Sequence, residues 1–148
     1  MVIKLNLKNE FFSIFVLTTV ATVFIDQVLK YLMVSSKPNL NFGILSFNFA
    51  TNTGAGFGIL QGRTVLLSII SLLVAVGIIL SYKKIPLERN IQMLFALFLG
   101  GVLGNLIDRL FRGHVIDFIS FSFWPSFNIA DAAISFAAIG LIIYVWGK

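Results

Sequence analysis

Four apolar stretches, at about residues 11–32, 64–82, 91–107 and 131–146, are each close to the roughly 18 residues needed to cross about 30 Å of hydrocarbon as a helix. Composition agrees. The chain of 148 residues is 58% hydrophobic and only 11% charged, with a mean hydropathy of +0.98. Soluble domains are roughly 45–50% apolar and about 25% charged. The chain is therefore expected to be one integral membrane domain, residues 1–148, whose apolar surface faces lipid. The first stretch follows Lys4, Lys8 and Glu10 like the start of a signal peptide. No small-residue cleavage site follows it and three further stretches do, so it reads as a retained helix.

The remaining composition narrows the chemistry. A net charge of +5 could suggest nucleic acid, but Lys and Arg are scattered among apolar segments and form no basic stripe. Anionic lipid headgroups are the expected charged partner. With no cysteine and a single histidine, His114, neither a thiolate nucleophile nor a Cys- or His-ligated metal site is expected. No cofactor is expected either.

An even number of spans places both termini on one side. The short basic segment Lys83-Lys84-Ile85-Pro86-Leu87-Glu88-Arg89 is the best cytoplasmic candidate, which puts Lys4, Lys8 and Lys148 inside as well. The outer side carries Lys30, Lys37, Arg63, Arg109 and Arg112, nearly balancing the count. Discounting Lys30 and Arg109, which have acidic neighbours on their own helices, restores the bias. Segments of about 34–63 and 110–130 are then extracytoplasmic. Each contains an alternating run, 45–50 and 118–124, that suits a strand with one apolar face. The expected fold class is membrane all-α with a small β element lying on the outer surface.

Charged groups within or at the ends of spans are costly and mark candidate sites. Asp26 and Lys30, four apart on one helical face, have the spacing of an ion pair; equally, they read as a structural pair that helps Lys30 reach the interface. The run Asn52-Thr53-Gly54-Ala55-Gly56-Phe57-Gly58 reads by itself as a glycine-rich turn. In 100–109 the glycines permit close helix packing, and Gly101, Asn105, Asp108 and Arg109 share a face too polar for lipid. Packing and an anchoring ion pair account for the glycines but poorly for Asn105. At the start of the last span, Asn128 suits an N-cap and Asp131 a first-turn acid.

Asp117, flanked by apolar residues and with no helix to cap, would alone simply be solvated. The loop joining spans three and four can, however, fold it back over the start of span four, where it would face Asp131. Two carboxylates that close share one proton, so that one serves as base on a water while the other donates to a carbonyl oxygen. This is aspartic-protease chemistry. Serine catalysis is less attractive, since it needs Ser35 or Ser36 to fold back on Lys30.

These motifs, in this order, resemble lipoprotein signal peptidase, the bacterial signal peptidase II family: Asp26 with Lys30, Asn52-Thr53-Gly54-Ala55, Gly100-Gly101 through Asn105 and Asp108-Arg109, Val115-Ile116-Asp117-Phe118, and Phe127-Asn128-Ile129-Ala130-Asp131. The resemblance implies that Asp117 and Asp131 are the catalytic dyad. It implies that Asp26, Lys30, Asn52, Gly54, Asn105, Asp108, Arg109 and Asn128 shape the site or position substrate. It further implies four transmembrane helices with an extracytoplasmic β-cradle, in the bacterial cytoplasmic membrane. The implied reaction is cleavage of prolipoprotein signal peptides before a Cys bearing diacylglycerol, with globomycin-type antibiotics as inhibitors. Membrane lipids are the other expected partners, nucleic acid is not one, and a monomer is expected. Gly56 and Ala132 depart from residues frequent in the family but remove no catalytic group. The rival reading is a small carrier or channel subunit with an acidic proton relay, which would spread acids through the bilayer depth.

Overall fold

The computed structural model describes residues 2–147, without the side chains of residues 2–7 and Phe57; Met1 and Lys148, and the Lys4 and Lys148 charges counted toward the inner face, lie outside the described residues. Four helices carry the chain: α1 (Val2–Ser36), α2 (Thr64–Leu80), α3 (Arg89–Arg112) and α4 (Ile129–Trp146). Three of them, counting α1 from Lys8, are long and apolar enough to cross a membrane, and α2 is a shorter apolar helix of 17 residues. Two insertions, after α1 and after α3, supply the strands β1 (Asn39–Asn41), β2 (Leu45–Asn52), β3 (Val115–Phe121) and β4 (Trp124–Phe127). These form one antiparallel sheet in the order β1-β2-β3-β4. The chain is thus mostly helical with a small four-stranded sheet, as befits a membrane protein.

The central helix is α3, which packs against α1, α2 and α4. Eleven of its residues are buried, against three in each of α2 and α4. The outer faces of α1, α2 and α4 instead expose large apolar side chains such as Leu17, Phe24, Leu73, Ile79, Ile139 and Ile143. Such a surface is stable against lipid and not against water. Small residues bring α3 close to its neighbours. A Cβ on Gly100 would sit 2.7 Å from Cβ of Thr22, one on Gly101 would collide with the Ala130 carbonyl oxygen, and one on Gly104 would lie 2.7 Å from Oδ2 of Asp26. Gly104→Val is therefore expected to lower the thermal unfolding temperature in detergent, since overpacking costs about 1–3 kcal/mol. Gly77→Ala in α2, where an added Cβ meets nothing within 4 Å, should leave it unchanged or raise it. Equal losses from both would contradict this packing.

Three local differences from the sequence expectation have physical causes. The helix α3 continues past the apolar run to Arg112, because Asp108 and Arg112 are paired, and it stops at Gly113, whose φ of 75° is the left-handed conformation of a helix C-cap. The alternating run 118–124 is not one strand. It straddles a two-residue turn at Ser122-Phe123, with Phe121 opposite Trp124 and the rings of Phe121 and Phe127 stacked at 6.1 Å. Finally, Lys30 does not reach the interface: it is fully buried.

Candidate active site

The buried charge at the sheet end of the bundle begins with Lys30, whose Nζ lies 2.8 Å from Asp26 Oδ2 and 2.9 Å from Asp108 Oδ2. It also donates to Asn105 Oδ1 at 3.0 Å. All three charged residues are fully buried. Each carboxylate is further satisfied by main chain: Asp26 Oδ1 accepts from the Ala130 N–H at 2.9 Å and Asp108 Oδ2 from the Ile116 N–H at 3.0 Å. The cluster thereby ties α1 and α3 to the starts of α4 and β3. Two members were not read as part of any site. Gln27 donates to Asp108 Oδ1 and to the Gly104 carbonyl, both at 3.1 Å, and Arg112 pairs with Asp108 while donating to Gln27 Oε1. The only sequence signal for them was a lone amide beside Asp26 and a base four residues after Asp108. The cations of Asp108 are thus Lys30 and Arg112, not its neighbour Arg109.

Above this cluster three asparagines hold two carboxylates. Asn128 caps α4: its Oδ1 accepts from the Asp131 N–H at 2.9 Å, and Asp131 Oδ2 accepts from the Asn128 N–H at 3.2 Å, a reciprocal capping pair. The same Asn128 side chain donates to Asp117 Oδ1 at 2.8 Å and to the Ile116 carbonyl at 3.1 Å. One residue therefore fixes both Asp117 and Asp131. The other oxygens are held from outside, Asp131 Oδ1 by Asn105 Nδ2 at 2.7 Å and Asp117 Oδ2 by Asn52 Nδ2 at 3.1 Å. The strand register makes the last contact possible, because Asn52 pairs with Val115 and its diagonal neighbour on that face is Asp117.

Asp117 is 3% exposed, and burial together with the Asp131 carboxylate pushes it up to about 7, against the opposing hydrogen bonds from Asn52 and Asn128. Asp131 is less covered and lines a cleft of about 360 Å³. The walls of the cleft include Asn52, Gly54, Arg109, Trp124, Phe127 and Ile134. Arg109 Nη2 donates to the Gly54 carbonyl at 3.2 Å, pinning the glycine-rich loop at the rim. Gly54 has no room for a side chain, since a Cβ would lie 2.7 Å from the Ile59 carbonyl oxygen. All ten residues singled out by the sequence thus meet at one end of the bundle. The arrangement sets a buried acid, Asp117, near a second acid, Asp131, that lines a cleft, and two such carboxyl groups are able to exchange protons with a group bound there.

A sequence profile of the family described as Signal peptidase (SPase) II matches residues 18–147. The chain is 39% identical to a lipoprotein signal peptidase of Moorella thermoacetica, over 89% of its own length and 90% of the relative's. It is 38% identical to a lipoprotein signal peptidase of Nostoc punctiforme, over 97% and 94%. Its fold is similar to that of a bacterial membrane enzyme solved by the in meso method at 2.3 Å, with a TM-score of 0.84 and 29% identity over 90% of this chain and 87% of the other.

Proposed function

Because the chain belongs to the signal peptidase II family, we propose that it is a membrane aspartic endopeptidase that removes signal peptides from diacylglyceryl-modified prolipoproteins, cleaving just before the lipidated Cys, with Asp117 and Asp131 as the catalytic pair. The observation that carries this reading is the single Asn128 side chain that caps the helix bearing Asp131 and donates to Asp117. On this reading residues 1–148 form one peptidase domain with four membrane-spanning helices. Both termini face the cytoplasm, and the sheet forms a cradle at the extracytoplasmic face of the bacterial cytoplasmic membrane. Globomycin-type inhibitors and membrane lipids are its further partners, and it works as a monomer.

On this assignment the pair acts directly on a water. A water between the carboxylates loses a proton to the ionised member of the pair as its oxygen bonds to the scissile carbonyl carbon. The protonated member gives its proton to the carbonyl oxygen, forming a neutral gem-diol. On collapse the base returns its proton to the departing nitrogen, one gem-diol hydroxyl returns its proton to the acid, and the C–N bond breaks. Nothing covalent forms on the enzyme. The substrate is unwound at the cleavage point, and an extended segment in lipid has polar groups with no internal partner. Arg109 and Asn52, at the cleft wall, supply donors for them.

The test is a gel-shift assay with purified protein in lipid and a diacylglyceryl prolipoprotein, in which the signal peptide should be released from the lipidated form and not from the unlipidated one. Equal cleavage of both would refute the assigned substrate. The same assay gives a pH prediction. Asp117 must hold its proton to act as acid and loses it as the pH rises through about 7. The pH profile of kcat/KM, which reports the free enzyme, is expected to be bell-shaped, with its alkaline limb near neutrality. A profile still rising above about pH 9 would contradict it.

A further inference from the structure

The hydrogen bonds around the two aspartates have only one possible direction, because each asparagine amide is anchored by a group that only donates or only accepts. Lys30 Nζ can only donate, so Asn105 must turn Oδ1 to it, which leaves Asn105 Nδ2 to donate to Asp131 Oδ1. The Asp131 N–H can only donate, so Asn128 turns Oδ1 to it and aims Nδ2 at the Ile116 carbonyl and Asp117 Oδ1. The Gly54 N–H, 2.8 Å from Asn52 Oδ1, likewise leaves Asn52 Nδ2 for Asp117 Oδ2.

The two carboxylates are not equivalent within this network. Asp131 receives a main-chain N–H and lies in the first turn of α4, where the unpaired N–H groups of the helix end favour an anion. Its second donor, Asn105, is a single amide removed from the Lys30 ammonium. Asp117 stands in a strand, is held by two side-chain amides, and accepts no main-chain N–H among the described residues. The charged groups facing the pair are Lys30 and Asp26 from α1 and Arg109 from α3. Of these, only Lys30 is joined to the pair through a directed amide.

We propose that Asn105, its direction set by Lys30, is a positioning residue that keeps Asp131 ionised as the base and leaves the shared proton on Asp117 as the acid. This rests on the reading of Asp117 and Asp131 as the catalytic pair. Asn105→Leu keeps the branched shape of the side chain and removes the donor to Asp131 without adding a charge. Of the two carboxylates, Asn52→Ala removes a donor from Asp117 only, along with the acceptor of the Gly54 N–H. Each removes a hydrogen bond to an ionised carboxylate, equivalent to about one pH unit.

The decisive experiment is the kcat/KM–pH profile of the full-length variants in lipid. Asn105→Leu should move the acidic limb up by about one unit and leave the alkaline limb nearly in place. Asn52→Ala should move the alkaline limb up and leave the acidic limb. Where Lys30→Met folds, it should move the same limb as Asn105→Leu; where it does not fold, Asn105→Leu decides alone. Crossed shifts would overturn the proposal by exchanging the two roles. Loss of thermal stability with both limbs of Asn105→Leu unmoved would overturn it by making Asn105 purely structural. Failure of the underlying reading looks different: Asp117→Asn or Asp131→Asn would remain active.

Discussion

Asp117→Asn and Asp131→Asn are each expected to abolish release of the signal peptide, a loss of at least about 10²–10⁴-fold, because each removes one proton-transfer group from a pair that needs both. The structure adds a detail to the expectation. Every oxygen of the two carboxylates already accepts a hydrogen bond: Asp117 from Asn52 and Asn128, Asp131 from Asn105 and the Asn128 main chain. A carboxamide at either position must turn its NH₂ toward one of these donors. A modest drop in thermal stability should therefore accompany the loss of activity. A folded, monodisperse variant with substantial cleavage in the gel-shift assay would end the assignment of that residue.

Lys30→Met is expected to have the largest effect on stability. It leaves Asp26 and Asp108, both fully buried, facing one another across the space the ammonium occupied, with Arg112 the remaining cation bridged to either among the described residues. Breaking a buried ion pair by removing one partner typically costs about 3–5 kcal/mol, because the surviving charge is left uncompensated. Lys83→Met, at an exposed position, should cost nothing measurable. Thermal unfolding of the two variants in the same detergent separates the cases. Equal unfolding temperatures would show that the cluster contributes no stability.

Only part of this molecule could be read without its tertiary structure. An apolar run long enough for a membrane is a local property, so the mostly helical class and the apolar helices were legible, and the alternating runs announced a small sheet. The capping role of Asn128 was legible for the same reason, since a cap and its first-turn acid are three residues apart. The strand boundaries were not. A two-residue turn preserves the alternation of 118–124, and only the pairing of Phe121 with Trp124 shows where the chain reverses.

The candidate site divides along the same line. Order and spacing along the chain singled out Asp26, Lys30, Asn105, Asp108, Asp117, Asn128 and Asp131, because charges and amides beside apolar spans are rare enough to notice. Spacing gave Asp26 and Lys30 to one helical face. It could not show that α3 would close over them and convert an exposed pair into a fully buried cluster. Gln27 was invisible, because one amide in a helix carries no period and no charge, and its partners Gly104, Asp108 and Arg112 are more than seventy residues away. The tertiary structure alone decided that Asp108 pairs with Lys30, beside its local partner Arg112 one turn on, while Arg109 turns to the loop. Sequence determines which groups are present and which local face they share. What those groups do depends on hydrogen bonds a few ångströms long between segments far apart in the chain, and these exist only once the helices have packed.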